Sequence, residues 1–473
     1  MHMLFFPELI VLLSALVMFL VSLGSPGTAA VHRLVVILGA AVLLATVACL
    51  GQEGMLFFEA YRIDRFSQLF KLLLAAAALI VLLLSGRNPG IKTEVQAEYH
   101  LFLLIGLLGL MMLVSSVELL ALFIALELSS FAVYIMVPLR RQSGGETFQM
   151  ESAIKYLLFG VMTTGLMLFG MSYLFGLTGS TYLSVIVDQL SQLIAEPAAL
   201  VAILLVMAGF FYKLAIFPFH FWVPDVYQGA ANETTTFIAA VPKIAATAVL
   251  IRLVTLAGGD SQLVTPVLLI CSIGAMFYGN LCALAQKDLK RMLGYSGISH
   301  AGFVLFGLLT FQNEGYALAT YYVAGYALMN LACFLVICTV ATAGQNLAIE
   351  DLSGLHRRSP LLALTLAIGL FALAGIPPFV GFTGKFMLLV NAFKQGLVIP
   401  VILAAINTAI ALFYYLSVVR IAYCTDPHPG ALRLQPGLTR SLTAVVLLLA
   451  IIALGVIPGL LVQPAVMSIG AML

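Results

Sequence analysis

The chain has 473 residues, of which 62% are hydrophobic and only 9% are charged, and its mean hydropathy is +1.12. This composition excludes a soluble globular protein of this length and indicates an integral membrane protein. The formal net charge of +2 is not gathered into a basic stripe, so the sequence offers no surface for nucleic acid.

Apolar runs of about 20 residues, each long enough to cross a bilayer as a helix, follow one another along the chain. There is no alternating pattern of the β-barrel kind, so the predicted fold class is an all-α polytopic membrane protein. Because the connections are short, we predict a single transmembrane domain, residues 1–473, with about 14 transmembrane helices. The predicted spans are 4–23, 31–50, 66–85, 99–116, 118–138, 153–177, 199–220, 234–257, 264–286, 293–311, 316–343, 360–384, 385–419 with an internal break, and 441–465.

The distribution of lysine and arginine predicts the orientation of these spans. Alternate loops on one side hold roughly 14 basic residues, and the other side holds roughly 5, among them Lys71 and Arg252. Basic loops stay in the cytoplasm, so both termini are predicted to face outward.

Three lysines remain, and all of them lie inside apolar spans: Lys213, Lys243 and Lys385. A lysine near the bilayer centre costs about 2.5–3.5 kcal/mol, so such residues are expected to be functional. Pro218 follows the first of them, and the Pro-Pro pair at 377–378 precedes the last, which predicts broken helices in the seventh and twelfth spans. Non-helical backbone at membrane depth survives where it is buried in protein or lines a hydrated cavity, so this pattern indicates an ion pathway.

Two further ionisable residues lie deep in the predicted spans. Glu127 of the fifth span is interpreted as a counter-charge for Lys213. The alternative is a carboxyl satisfied by hydroxyl groups nearby, those of Ser129, Ser130 and Tyr134. His300 lies in the tenth span, where an imidazole with its ordinary pKa of about 6.5 suits a proton relay. The alternative for His300 is a hydrogen-bonded core residue.

The spacing of these residues suggests an internal repeat. Glu127 and Lys213 are 86 residues apart, and His300 and Lys385 are 85 apart. The two sets are offset by about 172 residues and by five spans, and the odd number of spans turns the second set upside-down. We therefore predict two inverted five-helix repeats, 98–257 and 264–425, with helices 1–3 and 14 peripheral. Inverted repeats with broken helices are typical of ion-coupled transporters.

Three long motifs occur in order along the chain. They are FPFHFWVPDVYQGA followed by VPKIAA, then QKDLKRMLGYSGISHAGF, and finally GIPPFVGFTGKF. Together they resemble the antiporter-like subunits of respiratory complex I, in particular subunit N, the mitochondrial subunit 2 type. The resemblance covers about residues 60–425 and implies 14 helices with helices 7 and 12 broken. Asn232 and Glu233 depart from the family pattern, which usually has a proline before helix 8, and they put the loop between helices 7 and 8 in question.

The resemblance implies a proton-translocating, non-redox membrane subunit of an NADH-quinone oxidoreductase in a bacterial cell inner membrane, with both termini on the periplasmic side. Its proton route would use Glu127, Lys213, Lys243 and Lys385, with His300 as a possible relay. The implied partners are other complex I membrane subunits, including other antiporter-like ones, and the lipid bilayer.

The six cysteines show no CxxC pairing and the chain has no GxGxxG loop, so we expect no cofactor and no metal here. Quinone, NADH, FMN and iron–sulfur clusters would belong to partner subunits. Two alternatives stay open: a subunit of a multi-subunit cation/proton antiporter, and a non-conducting structural membrane subunit. Sodium requires several oxygen ligands, which one deep carboxylate and three lysines supply poorly.

Overall fold

A computed structural model of the chain describes residues 4–24, 27–86, 89–141, 148–193, 197–255, 264–427 and 433–470. Two residues of the predicted topology lie outside the described residues, the basic loop residue Arg87 and the terminal Leu473. Nineteen α-helices and one short β-hairpin make up the described part.

Ten helices and the hairpin occupy the first part of the chain. Their bounds are α1 Phe6–Ser22, α2 Thr28–Ala48, β1 Gly54–Leu56, β2 Tyr61–Ile63, α3 Arg65–Leu84, α4 Gln96–Ser115, α5 Leu119–Met136, α6 Phe148–Thr178, α7 Leu183–Leu193, α8 Pro197–Leu214, α9 Val223–Gly229 and α10 Asn232–Thr255. The two strands pair antiparallel, and a 3-10 turn over Thr93–Val95 leads into α4.

Nine helices follow in the second part. Their bounds are α11 Val264–Leu284, α12 Leu289–Leu308, α13 Asn313–Val340, α14 Leu355–Arg358, α15 Pro360–Ala374, α16 Val380–Lys394, α17 Val398–Cys424, α18 Leu438–Val456 and α19 Gly459–Gly470. A 3-10 turn over Ile349–Leu352 precedes the short α14.

The predicted fold class is confirmed, because the chain folds as an all-α polytopic membrane protein. In the described part, 11 helices are long and apolar enough to cross a membrane, and α1, α15 and α19 are shorter apolar helices. Every predicted span overlaps at least one of the observed helices. The total of 14 crossings stays a prediction.

The last predicted span, 441–465, is wrong as a single helix. The chain leaves α18 after Val456 and starts α19 at Gly459. Pro458 lies between them, and a proline has no backbone N–H with which to continue the helix. The short helix α7 also had no counterpart among the predicted spans.

Both predicted helix breaks are present, between α8 and α9 and between α15 and α16. Each first half ends just before a residue with left-handed backbone, Ala215 with φ of 69° and Gly375 with φ of 88°. Three residues further on, each break contains a cis peptide bond, before Pro218 and before Pro378. Glycine adopts left-handed backbone readily, whereas an alanine there costs about 1–2 kcal/mol.

Two close helix contacts are relevant to the predicted inverted repeat. A Cβ at Gly109 of α4 would lie 2.6 Å from the backbone nitrogen of Ser129, and one at Gly279 of α11 would lie 2.7 Å from that of Ser299. These matching contacts are 170 residues apart, whereas the left-handed residues of the two breaks are 160 apart. The first spacing is close to the predicted offset of about 172 residues and the second is shorter, and the repeat itself stays a prediction.

The helices α10 and α13 form the centre of the bundle. The apolar window of α10 is 100% buried and that of α13 is 94% buried, while those of α6 and α17 are only 33% buried. α10 and α13 contact each other, and α3 packs against both. A charged side chain on α10 therefore lies within protein and does not face lipid.

Candidate functional site

The three predicted lysines are all buried, with exposed fractions of 3% for Lys213, 1% for Lys243 and 4% for Lys385. Within the described residues, none of the three forms an ion pair with an acidic side chain. Each ammonium group instead donates hydrogen bonds to neutral groups of neighbouring helices.

Lys213, near the end of α8, is held by two hydroxyl groups of α5. Its Nζ donates to Ser129 Oγ at 2.9 Å and to Ser130 Oγ at 3.0 Å. Glu127 lies on the same helix and acts on Lys213 electrostatically, but no ion pair joins them. Its carboxylate oxygen Oε1 instead accepts a hydrogen bond of 2.6 Å from Thr164 of α6. The predicted counter-charge is thus near the lysine without touching it.

Glu127 lies on the outward face of α5. The apolar residues one turn before and one turn after it, Ile124 and Phe131, are both exposed, and Glu127 itself is half-buried. An ionisable side chain on a lipid-facing surface is costly. We therefore expect this face to be covered by protein in the membrane.

Lys243, in the middle of α10, contacts two other helices. Its Nζ donates to the carbonyl oxygen of Gly297 on α12 at 3.2 Å and to Tyr326 Oη on α13 at 3.0 Å. The ammonium also lies 4.8 Å from the centroid of the Tyr326 ring. The preceding residue, Pro242, has no backbone N–H, so the helical hydrogen-bond ladder is interrupted beside this lysine.

His300 of α12 is surrounded by tyrosines. Its Nδ1 is 2.7 Å from Tyr322 Oη and its Nε2 is 3.2 Å from Tyr415 Oη, which in turn contacts Ser296 Oγ. The imidazole centroid is 5.0 Å from that of Tyr326, the tyrosine that binds Lys243. Lys243 and Lys385 both act on His300 electrostatically. His300 thus lies near both lysines.

Lys385 of α16 binds the open end of the other half of its broken helix. Its Nζ donates to the carbonyl oxygens of Leu373 at 2.9 Å and Ala374 at 3.4 Å, the last two residues of α15. A cation at a helix C-terminus also interacts favourably with the helix dipole. The ammonium lies 5.1 Å from the centroid of the Phe303 ring, one turn along α12 from His300.

Sequence reasoning missed two buried ion pairs. Lys71 Nζ is 2.6 Å from Glu8 Oε1, and both residues are almost fully buried. Arg252 Nη2 donates to both carboxylate oxygens of Asp64, at 3.1 and 3.2 Å. The prediction that Lys71 and Arg252 are outer loop residues is therefore wrong. Tyr61 strengthens the first pair by donating to Glu8 Oε1 at 2.6 Å.

Basic residues of neighbouring helices bind α9, the second half of the first broken helix. Asp225 of α9 accepts hydrogen bonds of 2.6 Å from Lys155 of α6 and from Arg291 of α12. Lys290, completely buried, donates to the carbonyl oxygen of Ala230 at 2.8 Å. Among the described residues, no group of three or more His, Cys, Asp or Glu side chains is arranged to hold a metal ion.

Asn232 and Glu233, the residues that depart from the family motif, are the first two residues of α10. The connection from α9 therefore consists of only two residues, 230–231. The conformation of this loop, which the sequence left in question, is a short turn directly into the central helix.

The fold and the site together define a class of helical membrane protein in which buried lysines lie at or between two discontinuous helices. Residues 116–411 match the model of the family described as "NADH:quinone oxidoreductase/Mrp antiporter, TM". The chain belongs to this family, and within it to the subunit N group of NADH-quinone oxidoreductase. It is 50% identical to NADH-quinone oxidoreductase subunit N 2 of Opitutus terrae, over 96% of this chain and 95% of that protein.

Solved structures show the same fold. A chain of respiratory complex I from Thermus thermophilus matches with a TM-score of 0.82 and 28% identity, over 97% of this chain and 98% of that one. A chain of the Mrp complex from a Dietzia species matches with a TM-score of 0.86, over 99% of this chain and 96% of that one. At 19% identity the second match shows the fold alone.

Proposed function

We propose that the chain conducts protons across a bacterial inner membrane as a non-redox subunit of a proton-translocating NADH-quinone oxidoreductase. The name of the relative from Opitutus terrae and the match to a chain of respiratory complex I support this proposal. In this reading, partner subunits carry the NADH and quinone sites, the FMN and the iron–sulfur clusters. The contribution of this chain is the movement of protons.

The observation that carries the proposal is the contrast between two kinds of buried lysine. Lys71 is locked to the Glu8 carboxylate, and breaking such a buried pair is strongly destabilising. Lys213, Lys243 and Lys385 bind only neutral hydroxyl and carbonyl groups in the described structure. Such an ammonium can release its proton without leaving a buried carboxylate unpaired. These three side chains are therefore suited to carry protons.

The lateral part of the route follows one face of α12. Gly297, His300 and Phe303 succeed one another at intervals of three residues, which places them on neighbouring turns of one helix face. The first contacts Lys243 and the last lies under Lys385. In this proposal a proton moves from Lys243 through Tyr326 and His300 toward Lys385.

The exposed apolar face of α5 is an argument that another protein subunit packs against this chain in the membrane. Glu127 has a protein partner for one oxygen, Thr164, but its surroundings on that face are exposed apolar side chains. Another subunit of the complex packed against this face would remove the carboxyl from lipid. The route would then extend from Glu127 toward the neighbouring subunit.

The proposed orientation places both termini on the periplasmic side. In a background with the exposed Cys424 replaced by serine, a cysteine at Arg357 is expected to react with an impermeant thiol reagent only from the cytoplasm. A cysteine at Gln395, beyond the far end of α16, should react only from the periplasm. Labelling of both positions from one side would contradict the predicted crossing of the broken twelfth helix.

The direct test of conduction is Lys243→Met in the complete complex. The measurement is proton uptake per NADH oxidised in vesicles, normalised to assembled complex. Lys243→Met is expected to abolish most of the uptake because methionine fills a similar volume but carries no proton. Lys394→Met, on the exposed end of α16, is the control and should behave like the natural protein. Normal coupling in both variants would favour the non-conducting structural subunit.

A further inference from the structure

Another buried carboxyl, which forms no salt bridge among the described residues, lies apart from the route described above. Glu233, at the N-terminal end of α10, is 1% exposed. Neither of its carboxylate oxygens has a hydrogen-bond partner in the part of the chain that the structure describes. A buried carboxylate without partners is costly, so this group is stable when it is protonated or bonded to water.

Polar and basic side chains surround Glu233, but in the described part of the chain none of them forms a salt bridge with it. Tyr99 of α4 is near both Glu233 and Thr234, yet within the described residues the hydroxyl groups of Tyr99 and Thr234 have no hydrogen-bond partner. The ammonium group of Lys290 donates its hydrogen bond to the carbonyl oxygen of Ala230 and makes no ion pair with Glu233. The titratable or charged groups that act on this site from other elements are Tyr99, Arg140, Lys290, Cys338 and Arg440.

Glu233 and Lys243 lie on the same helix, α10. The two residues are ten positions apart on α10, which corresponds to about 15 Å along the helix. Near the Lys243 end, the buried hydroxyl of Tyr227 lies close to Tyr326 and has no hydrogen-bond partner among the described residues. Tyr326 Oη accepts the hydrogen bond from Lys243. The hydroxyl groups of Tyr326 and Tyr227 therefore lie at the Lys243 end of this distance.

We propose that Glu233 is a proton-exchanging residue that delivers protons to Lys243 from the end of the bundle where Arg140 and Lys290 lie. The inference rests on the proposed function, because it names where the route begins. In the transfer, the Glu233 carboxyl loses a proton and becomes a carboxylate while the neutral Lys243 amine gains one and becomes an ammonium. A proton from water at the end of the bundle near Arg140 and Lys290 then restores the carboxyl.

The test is Glu233→Gln in the complete complex, since glutamine keeps the shape and polarity but does not exchange a proton. Turnover with coupled proton uptake should fall about tenfold, equivalent to about 1.4 kcal/mol of added barrier. The infrared difference spectrum between oxidised and reduced complex should also lose one carboxylic-acid band. Glu233→Asp, which keeps a titratable group, should restore most of the turnover.

Glu118→Gln is the matched control. Glu118 is also buried, but its carboxylate accepts a hydrogen bond from the backbone of Ala121 and caps α5. This variant is expected to pump normally.

Normal turnover and an unchanged spectrum in Glu233→Gln, beside a defective Lys243→Met, would overturn the inference and leave the proposed function intact. Equal loss of assembly in Glu233→Gln and Glu233→Asp would assign Glu233 a structural role and also overturn it. Normal pumping in Lys243→Met would instead contradict the proposed function.

Discussion

Substitutions of Lys385 test whether this residue carries protons or only caps the C-terminal end of α15. Lys385→Met removes the donor to the carbonyl oxygens of Leu373 and Ala374, and a hydrogen bond to a charged group contributes about 1.5–3 kcal/mol. The same change removes a lysine whose burial in the membrane costs about 2.5–3.5 kcal/mol. Counted for the shorter of the two hydrogen bonds, these effects oppose each other and differ by at most about 2 kcal/mol, so stability and assembly should change little. Proton uptake should nevertheless be lost.

Lys385→Arg supplies the complementary measurement. The guanidinium can donate to the same carbonyl oxygens, but with a pKa above about 12 it keeps its proton. We expect this variant to assemble normally and to turn over slowly. The assay is NADH-driven proton uptake in vesicles, with the amount of assembled complex measured in parallel. Full uptake in Lys385→Arg would show that only the charge matters at this position, and would refute the reasoning.

Two further predictions concern the other buried charges. Glu127→Gln should lower proton uptake strongly while leaving assembly unchanged, because the Thr164 hydroxyl can still donate to the amide oxygen; normal uptake in vesicles would leave Glu127 with a structural role only. Glu8→Gln should destabilise the protein by about 3–5 kcal/mol by leaving Lys71 unpaired, and adding Lys71→Met should recover most of that loss. Thermal unfolding of the purified complex measures the stability of the Glu8→Gln variant and of the double variant. Additive effects of Glu8→Gln and Lys71→Met would argue against an ion pair between these residues.

The sequence was sufficient for the helical fold and for the lysines because each signal is local. A lysine or a proline inside an apolar run is visible without any knowledge of its neighbours, and both helix breaks followed from Pro218 and the Pro-Pro pair at 377–378. The partners of the lysines were not visible, because they come from other helices. Lys213 was expected to pair with Glu127 but binds the next polar residues on α5.

The missed ion pairs have the same explanation. Glu8 and Lys71 are 63 residues apart in the chain and meet only when α1 packs near α3. Each stands near the end of its apolar run, where a charge normally reaches water. A signal was nevertheless available, since Lys71 falls inside the predicted span 66–85.

The length of α6 makes the site sensitive to the thickness of the bilayer. Its 31 residues span about 46 Å, whereas the hydrocarbon core measures about 30 Å. A helix this long must tilt or project, and the extent of either changes with the lipid. Thr164, at the middle of α6, holds the carboxylate of Glu127. Lipids with shorter or longer acyl chains should therefore shift this hydrogen bond and alter turnover with no change in the protein.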